Sequence, residues 1–164
     1  MSFTLLPPVI IENDVGISVI RAGDMPFAES LVIPMAGWSA LDLLRHWYRE
    51  IDELLAGRRD RCCLVSGLAA VNGSVVPSEW WTVYFVEGQI RLHYQILFTG
   101  TPADRPPDVE WTACDVWTAC DEWWKHIPPY DPEVSEWIVT PEELTDWCHQ
   151  CDVLFAVINT VRKG

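Results

Sequence analysis

Four kinds of side chain in this sequence could carry chemistry: thiols, imidazoles, carboxylates and indoles. The most suggestive thiol spacing is Cys148-His149-Gln150-Cys151, which invites a zinc reading. Both thiols, however, fall on the apolar stripe of a predicted helix, where free cysteine behaves as a small buried hydrophobe. Zinc could draw in Cys114 and Cys120, but the five-residue gap between those two is not a usual ligand spacing, and no second paired-ligand motif exists. Cys62-Cys63 read as buried strand residues. His46, His93, His126 and His149 sit in unrelated settings, none of them a nucleophile or zinc motif. No glycine-rich loop is placed to cradle phosphate. Acid pairs such as Asp121-Glu122 could do acid–base work, yet acid-rich segments are usually solvated faces. No catalytic residue, metal or cofactor is assigned, and the chain is read as a non-enzyme.

The carboxylates and indoles together say more. Between Asp108 and Asp131 the sequence repeats Trp111-Thr112-Ala113-Cys114-Asp115 as Trp117-Thr118-Ala119-Cys120-Asp121, then continues Glu122-Trp123-Trp124. A period of six scatters tryptophans around a helix but lines them along one face of an extended segment. Two repeats are too few for a solenoid. The segment reads as mixed strand and loop. Tryptophan is a common interface anchor, and surrounding carboxylates pair with lysine and arginine on a partner. The candidate partner-binding residues are therefore Asp108, Glu110, Asp115, Trp117, Asp121, Glu122, Trp123, Trp124, Tyr130 and Asp131. The competing reading is that Trp111, Trp117 and Trp123 simply complete a core, and sequence leaves both open.

Charge sharpens the choice of partner. The 164 residues carry a net charge of −13. Residues 104–152 hold 13 acids against Arg105 and Lys125, a net of −11, whereas residues 1–103 stand at only −4. Such a field repels nucleic acid directly, so a DNA or RNA binder is not expected. It attracts basic proteins and speeds their encounter. Met1–Ile11 contains Pro7-Pro8 and lacks a basic start, so no secretory signal is read there. No apolar run reaches the ~20 residues that span a bilayer. The expectation is a cytoplasmic protein with reduced thiols and no membrane contact, a monomer or weak dimer.

One domain, residues 1–164, is the default at this length, and a chain of this size buries roughly 68–70% of its unfolded surface. The clearest element is a β-hairpin over Trp80–Phe98 turning at Glu87-Gly88. Its second arm alternates Ile90, Leu92, Tyr94, Ile96 and Phe98 against Arg91, His93 and Gln95, the pattern of a half-buried strand. Val15–Arg21, Leu31–Ile33, Cys62–Leu68 and Ser135–Val139 read as further strands, and Val71–Glu79, with Asn72-Gly73 and Pro77, as a loop. Ser39–Ala56 has helical spacing, a capping Ser39 with Asp42 three residues on, and Gly57 to stop it. A second helix begins at Thr140-Pro141-Glu142-Glu143 and carries Leu144, Trp147, Cys148, Cys151, Leu154, Phe155 and Ile158 as one apolar stripe. The expected fold class is α+β: an antiparallel sheet with a central hairpin, covered by two main helices.

Several of these stretches together resemble a known family. They are Trp38-x-x-Leu41 at the start of the first helix, Leu54-Leu55-x-Gly57 at its end, Cys63-Leu64-Val65-Ser66, Trp80-Trp81-x-Val83-Tyr84, the strand through Gln95, and Ser135-Glu136-Trp137. Across roughly residues 38–158 the chain resembles immunity proteins of contact-dependent growth inhibition and related polymorphic toxin systems. The resemblance implies a small cytoplasmic bacterial protein that binds its cognate C-terminal toxin domain, often a basic-clefted nuclease, and neutralises it. It transfers no binding residues, and the Trp-Thr-Ala-Cys-Asp repeat is not a family feature. The alternative kept beside it is a small enzyme or ligand-binding domain with an aromatic-lined pocket.

Overall fold

The computed structural model describes residues 3–5, 9–12, 15–21, 29–34, 39–71, 74–96, 127, 129–134 and 136–161. Two strong local signals set the first helix, α1, over Ala40–Leu55. At its start the Asp42 amide donates to Ser39 Oγ at 3.1 Å and the Ser39 amide donates to Asp42 Oδ2 at 3.2 Å, a reciprocal capping box. At its end the Gly57 amide reaches Leu54 O and the Arg58 amide reaches Glu53 O. Gly57 takes φ +67° to allow this, which is why glycine stands there. The second helix, α2, spans Pro141–Val161. Thr140 and Glu143 exchange bonds of the same kind, the Glu143 amide to Thr140 Oγ1 at 3.2 Å and the Thr140 amide to Glu143 Oε2 at 2.9 Å.

The described strands form two four-stranded antiparallel sheets. The first is built on β3 (Val15–Arg21), which pairs with β1 (Thr4–Leu5), β2 (Val9–Glu12) and β4 (Glu29–Pro34). The second runs in the order β5 (Arg61–Val71), β6 (Ser74–Val86), β7 (Gln89–Ile96) and β8 (Trp137–Val139). The expected hairpin is β6–β7, at the centre of this sheet. Glu87 at φ 52° and Gly88 at φ 79° make its two-residue turn, both in the left-handed region that matches strand twist.

Val71–Glu79 is not a loop. β5 runs to Val71 and β6 starts at Ser74, so the two strands pair almost along their whole length. Among the described residues β6 has its second neighbour, β7, only from Glu79 onward, and a strand position paired on one side tolerates a residue without an N–H, here Pro77. The register of β5 shifts around Gly67, close by.

The main core lies between α1, α2 and one face of the second sheet. Leu43, Leu44, Trp47, Ile51 and Leu54 of α1 meet Leu64, Trp81, Val83, Ile90 and Leu92. Fully burying a side chain of this kind stabilises the fold by roughly 1.5–3 kcal/mol. Adjacent side chains of α1 also hold the β5 backbone: Trp47 Nε1 donates to Val65 O at 2.7 Å, and the Val65 amide donates to His46 Nε2 at 3.2 Å. Phe3 packs edge-on against Trp147 of α2, and Trp147 Nε1 donates to Leu5 O, tying the N-terminal strand to the same core.

The expectation of one apolar and one polar face on β7 needs correction. His93 is 1% exposed and Tyr94 is 42% exposed, the reverse of their assigned roles. The second face of the sheet is itself covered: Cys63, Trp80 and Tyr84 pack with Ile127, flanked by Val86 and Tyr130. The predicted stripe on α2 is also shorter than expected. Leu144, Trp147 and Cys151 are buried, but Leu154 is exposed and Phe155 and Ile158 only half-buried.

Candidate functional site

Most of the candidate contact segment, Asp108–Asp131, falls between the last described residue of β7, Ile96, and the next described residue, Ile127. Asp108, Glu110, Asp115, Trp117, Asp121, Glu122, Trp123 and Trp124 lie outside the described residues. Tyr130 and Asp131 are described, and they show how the segment returns. Ile127 is buried against the second sheet face. The Tyr130 ring packs on it too, 5.5 Å from Tyr84 and 5.4 Å from His93 between ring centres. Asp131 is exposed and shapes a turn: its Oδ1 accepts from the Glu133 amide at 2.9 Å and its carbonyl from the Val134 amide.

One carboxylate organises this end of the surface. Glu136, just before β8, accepts from Tyr130 Oη at 2.9 Å and from Arg91, and lies 3.3 Å from His93 Nε2. Burial works to raise its pKa, but the bonds from Tyr130, His93 and Arg91 outweigh that and hold the carboxyl below its ordinary value. The same bond raises the pKa of the Tyr130 hydroxyl. Sequence reasoning missed Glu136 as a hub. Its signal was its place in Ser135-Glu136-Trp137, opposite a strand with Arg91 and His93 two apart. Contact between these residues depends on β7–β8 pairing, which no local pattern specifies.

Charge is one-sided in the C-terminal part of the described chain. Residues 127–161 contain seven acids and no lysine or arginine. The basic cluster after α1 does not offset them, because it is engaged locally. Arg58 pairs with Asp52 at 2.7 Å and Glu53 at 2.9 Å, and Arg59 pairs with Glu50 at 3.0 Å. Glu50 is fully buried, and burial raises its pKa despite Arg59. Asp131, Glu133, Glu142, Asp146 and Asp152 all face solvent. Tyr48 of α1 donates to Asp152 of α2 at 2.7 Å, which pushes the phenol up to about 12.

Burial sets the protonation of four described groups, Cys62, Cys148, Cys151 and His46. Burial pushes the Cys148 and Cys151 thiols up to about 12 and Cys62 well above its ordinary value, so none is a ready thiolate. Burial lowers His46 to about 3, leaving it a neutral acceptor for the Val65 amide. Among the described residues no group of three or more histidines, cysteines and carboxylates is placed to hold a metal ion. No described helix is long and apolar enough to cross a membrane.

No family model matches the sequence, and no curated protein matches it. Among solved structures, the chain is similar to one from the "CdiA-CT/CdiI toxin and immunity complex from Enterobacter cloacae". The TM-score is 0.63 at 18% identity, over 92% of this chain and 98% of that one. The two chains share a fold over that span.

Proposed function

We propose that this protein is an immunity protein of a contact-dependent growth inhibition system, which binds the C-terminal toxin domain of its own system and blocks it. The observation that carries this reading is the fold shared over 92% of the chain with a member of a toxin and immunity complex. Its charge supports the inhibitor's part in such a pair. A net of −13 concentrated in the second half suits a protein that covers a basic surface. The buried thiols and neutral His46 are committed to the fold, which fits a protein that acts by binding.

In its finer form the reading makes the toxin a basic nuclease and the acidic, tryptophan-rich stretch from Asp108 to Asp131 part of the contact. Carboxylates there would occupy the sites that a nucleic acid's phosphates use on the toxin, while Trp117, Trp123 and Trp124 fill apolar pockets. Tyr130 and Glu136 would hold the returning end of the stretch against the sheet.

The test is protection. Cells expressing the toxin domain encoded beside this chain should stop growing, and co-expression of this protein should restore growth. Growth arrest that persists despite soluble expression of both would contradict the reading. Asp121→Lys combined with Glu122→Lys should slow association at low salt. An unchanged calorimetric affinity and rate would remove that patch from the contact.

A further inference from the structure

The bare face of α2 has a polarity of its own. Successive residues of an α-helix turn by about 100°, so Glu142, Asp146, Gln150, Val153, Val157 and Val161, spaced four, four, three, four and four apart, share one strip within an arc of about 100°. All six are exposed, with Val153 at 67%, Val157 at 56% and Val161 at 76%. The strip is about 30 Å long at 1.5 Å per residue. Its first half ends in carboxylates and its second half in bare valines, with Leu154 at the flank. Among the described residues neither Glu142 nor Asp146 has an ion-pair partner.

Such a strip is poorly suited to water. Valine lowers helix propensity through its restricted χ1, and only burial offsets that. A run of exposed apolar side chains rimmed by charge is the mark of a contact surface. Its two halves also decide what covers it. A second copy laid parallel would set carboxylates against carboxylates. Laid antiparallel, it would set carboxylates against valines and leave them desolvated without a partner. A complementary occupant has lysine or arginine at one end and apolar side chains at the other, so its direction along α2 is fixed.

We propose that this strip of α2 is a docking site for the toxin domain, occupied by an amphipathic segment whose basic residues meet Glu142 and Asp146 and whose apolar residues cover Val153, Val157 and Val161. The proposal rests on the immunity reading and adds a surface remote in sequence from Asp108–Asp131. The pairing has two separable parts: the apolar half governs how long the complex lasts, and the acidic half how fast it forms.

The experiment measures binding of the purified toxin domain encoded beside this chain to three proteins by surface plasmon resonance: the parent, Val153→Asp with Val157→Asp, and Glu142→Lys with Asp146→Lys. Thermal melts check that each is folded. The valine pair should dissociate about a hundredfold faster. The charge pair should associate about tenfold more slowly at low salt and lose much of its salt dependence. Because the charge pair alters only exposed polar ends, it decides the matter if the valine pair does not fold. Parental kinetics in the folded variants would overturn the strip while leaving the immunity reading intact, since the parent binds. A parent that neither binds nor protects would overturn both. A parent dimer that Val157→Asp dissociates would show that a second copy occupies the strip, and would overturn the proposal.

Discussion

Glu136 shows how much one side chain can carry. It gathers Arg91, His93 and Tyr130 at the edge of the sheet, so Glu136→Gln should destabilise the protein by about 1–3 kcal/mol at pH 7 in urea unfolding. The folded carboxyl lies below its ordinary value of 4.5. Its stabilisation is therefore complete above that value and lost as pH falls through the lower folded one. The gap between parent and Glu136→Gln should close in acid. A gap that is unchanged at low pH would mean the carboxylate's charge is not what matters. Arg59→Ala should be the more damaging change, by about 3–5 kcal/mol, because it takes the paired guanidinium from the fully buried Glu50 and leaves it only the Cys63 backbone bond and the more distant charge of Arg49. Neither Glu136 nor Glu50 stands out in the sequence. Each depends on a partner brought by the fold, and single-residue patterns do not encode that. Alternation puts His93 on a polar face for the same reason: it gives the side of a strand, not what will cover it.

Secondary-structure elements were more legible, and their ends most of all. Ser39 with Asp42, Thr140 with Glu143, Gly57 and Glu87-Gly88 each act through bonds within a few residues, so local sequence suffices. Ser39→Ala should lower stability by about 1 kcal/mol in chemical denaturation. Glu87→Asn should raise it by roughly 0.5–1 kcal/mol, because asparagine tolerates the positive φ of 52° that glutamate occupies under strain. A loss of stability in Glu87→Asn would show that the glutamate side chain has a compensating role. Legibility failed where the signal was composite. Asn72-Gly73 and Pro77 suggest a loop when read singly, but two residues between long strands make a hairpin. On α2 the apolar periodicity is real, but past Cys151 it is only half-buried, with Phe155 packed edge-on against Tyr48 and Leu154 exposed. The valines at 153, 157 and 161 lay outside the expected stripe altogether.

At the scale of the molecule, charge and fold point the same way. Arg58 and Arg59 after α1 pair with α1's own acids, whereas residues 127–161 contain no lysine or arginine. The negative field therefore survives folding and faces outward. Association with a basic partner should slow steeply between about 50 and 500 mM salt, while the dissociation rate changes little. The α+β class, the central hairpin and both helices could be read from periodicity. The division into two sheets could not, because it rests on long-range pairing of short strands such as Thr4–Leu5. The ten candidate contact residues rest on composition alone, and eight of them lie outside the described residues. The central claim is neutralisation of a toxin, and growth measured during co-expression tests it most directly. With the toxin domain encoded beside this chain induced, cells carrying this protein should grow at the uninduced rate. Equal arrest with and without the protein, both being soluble and expressed, would contradict it.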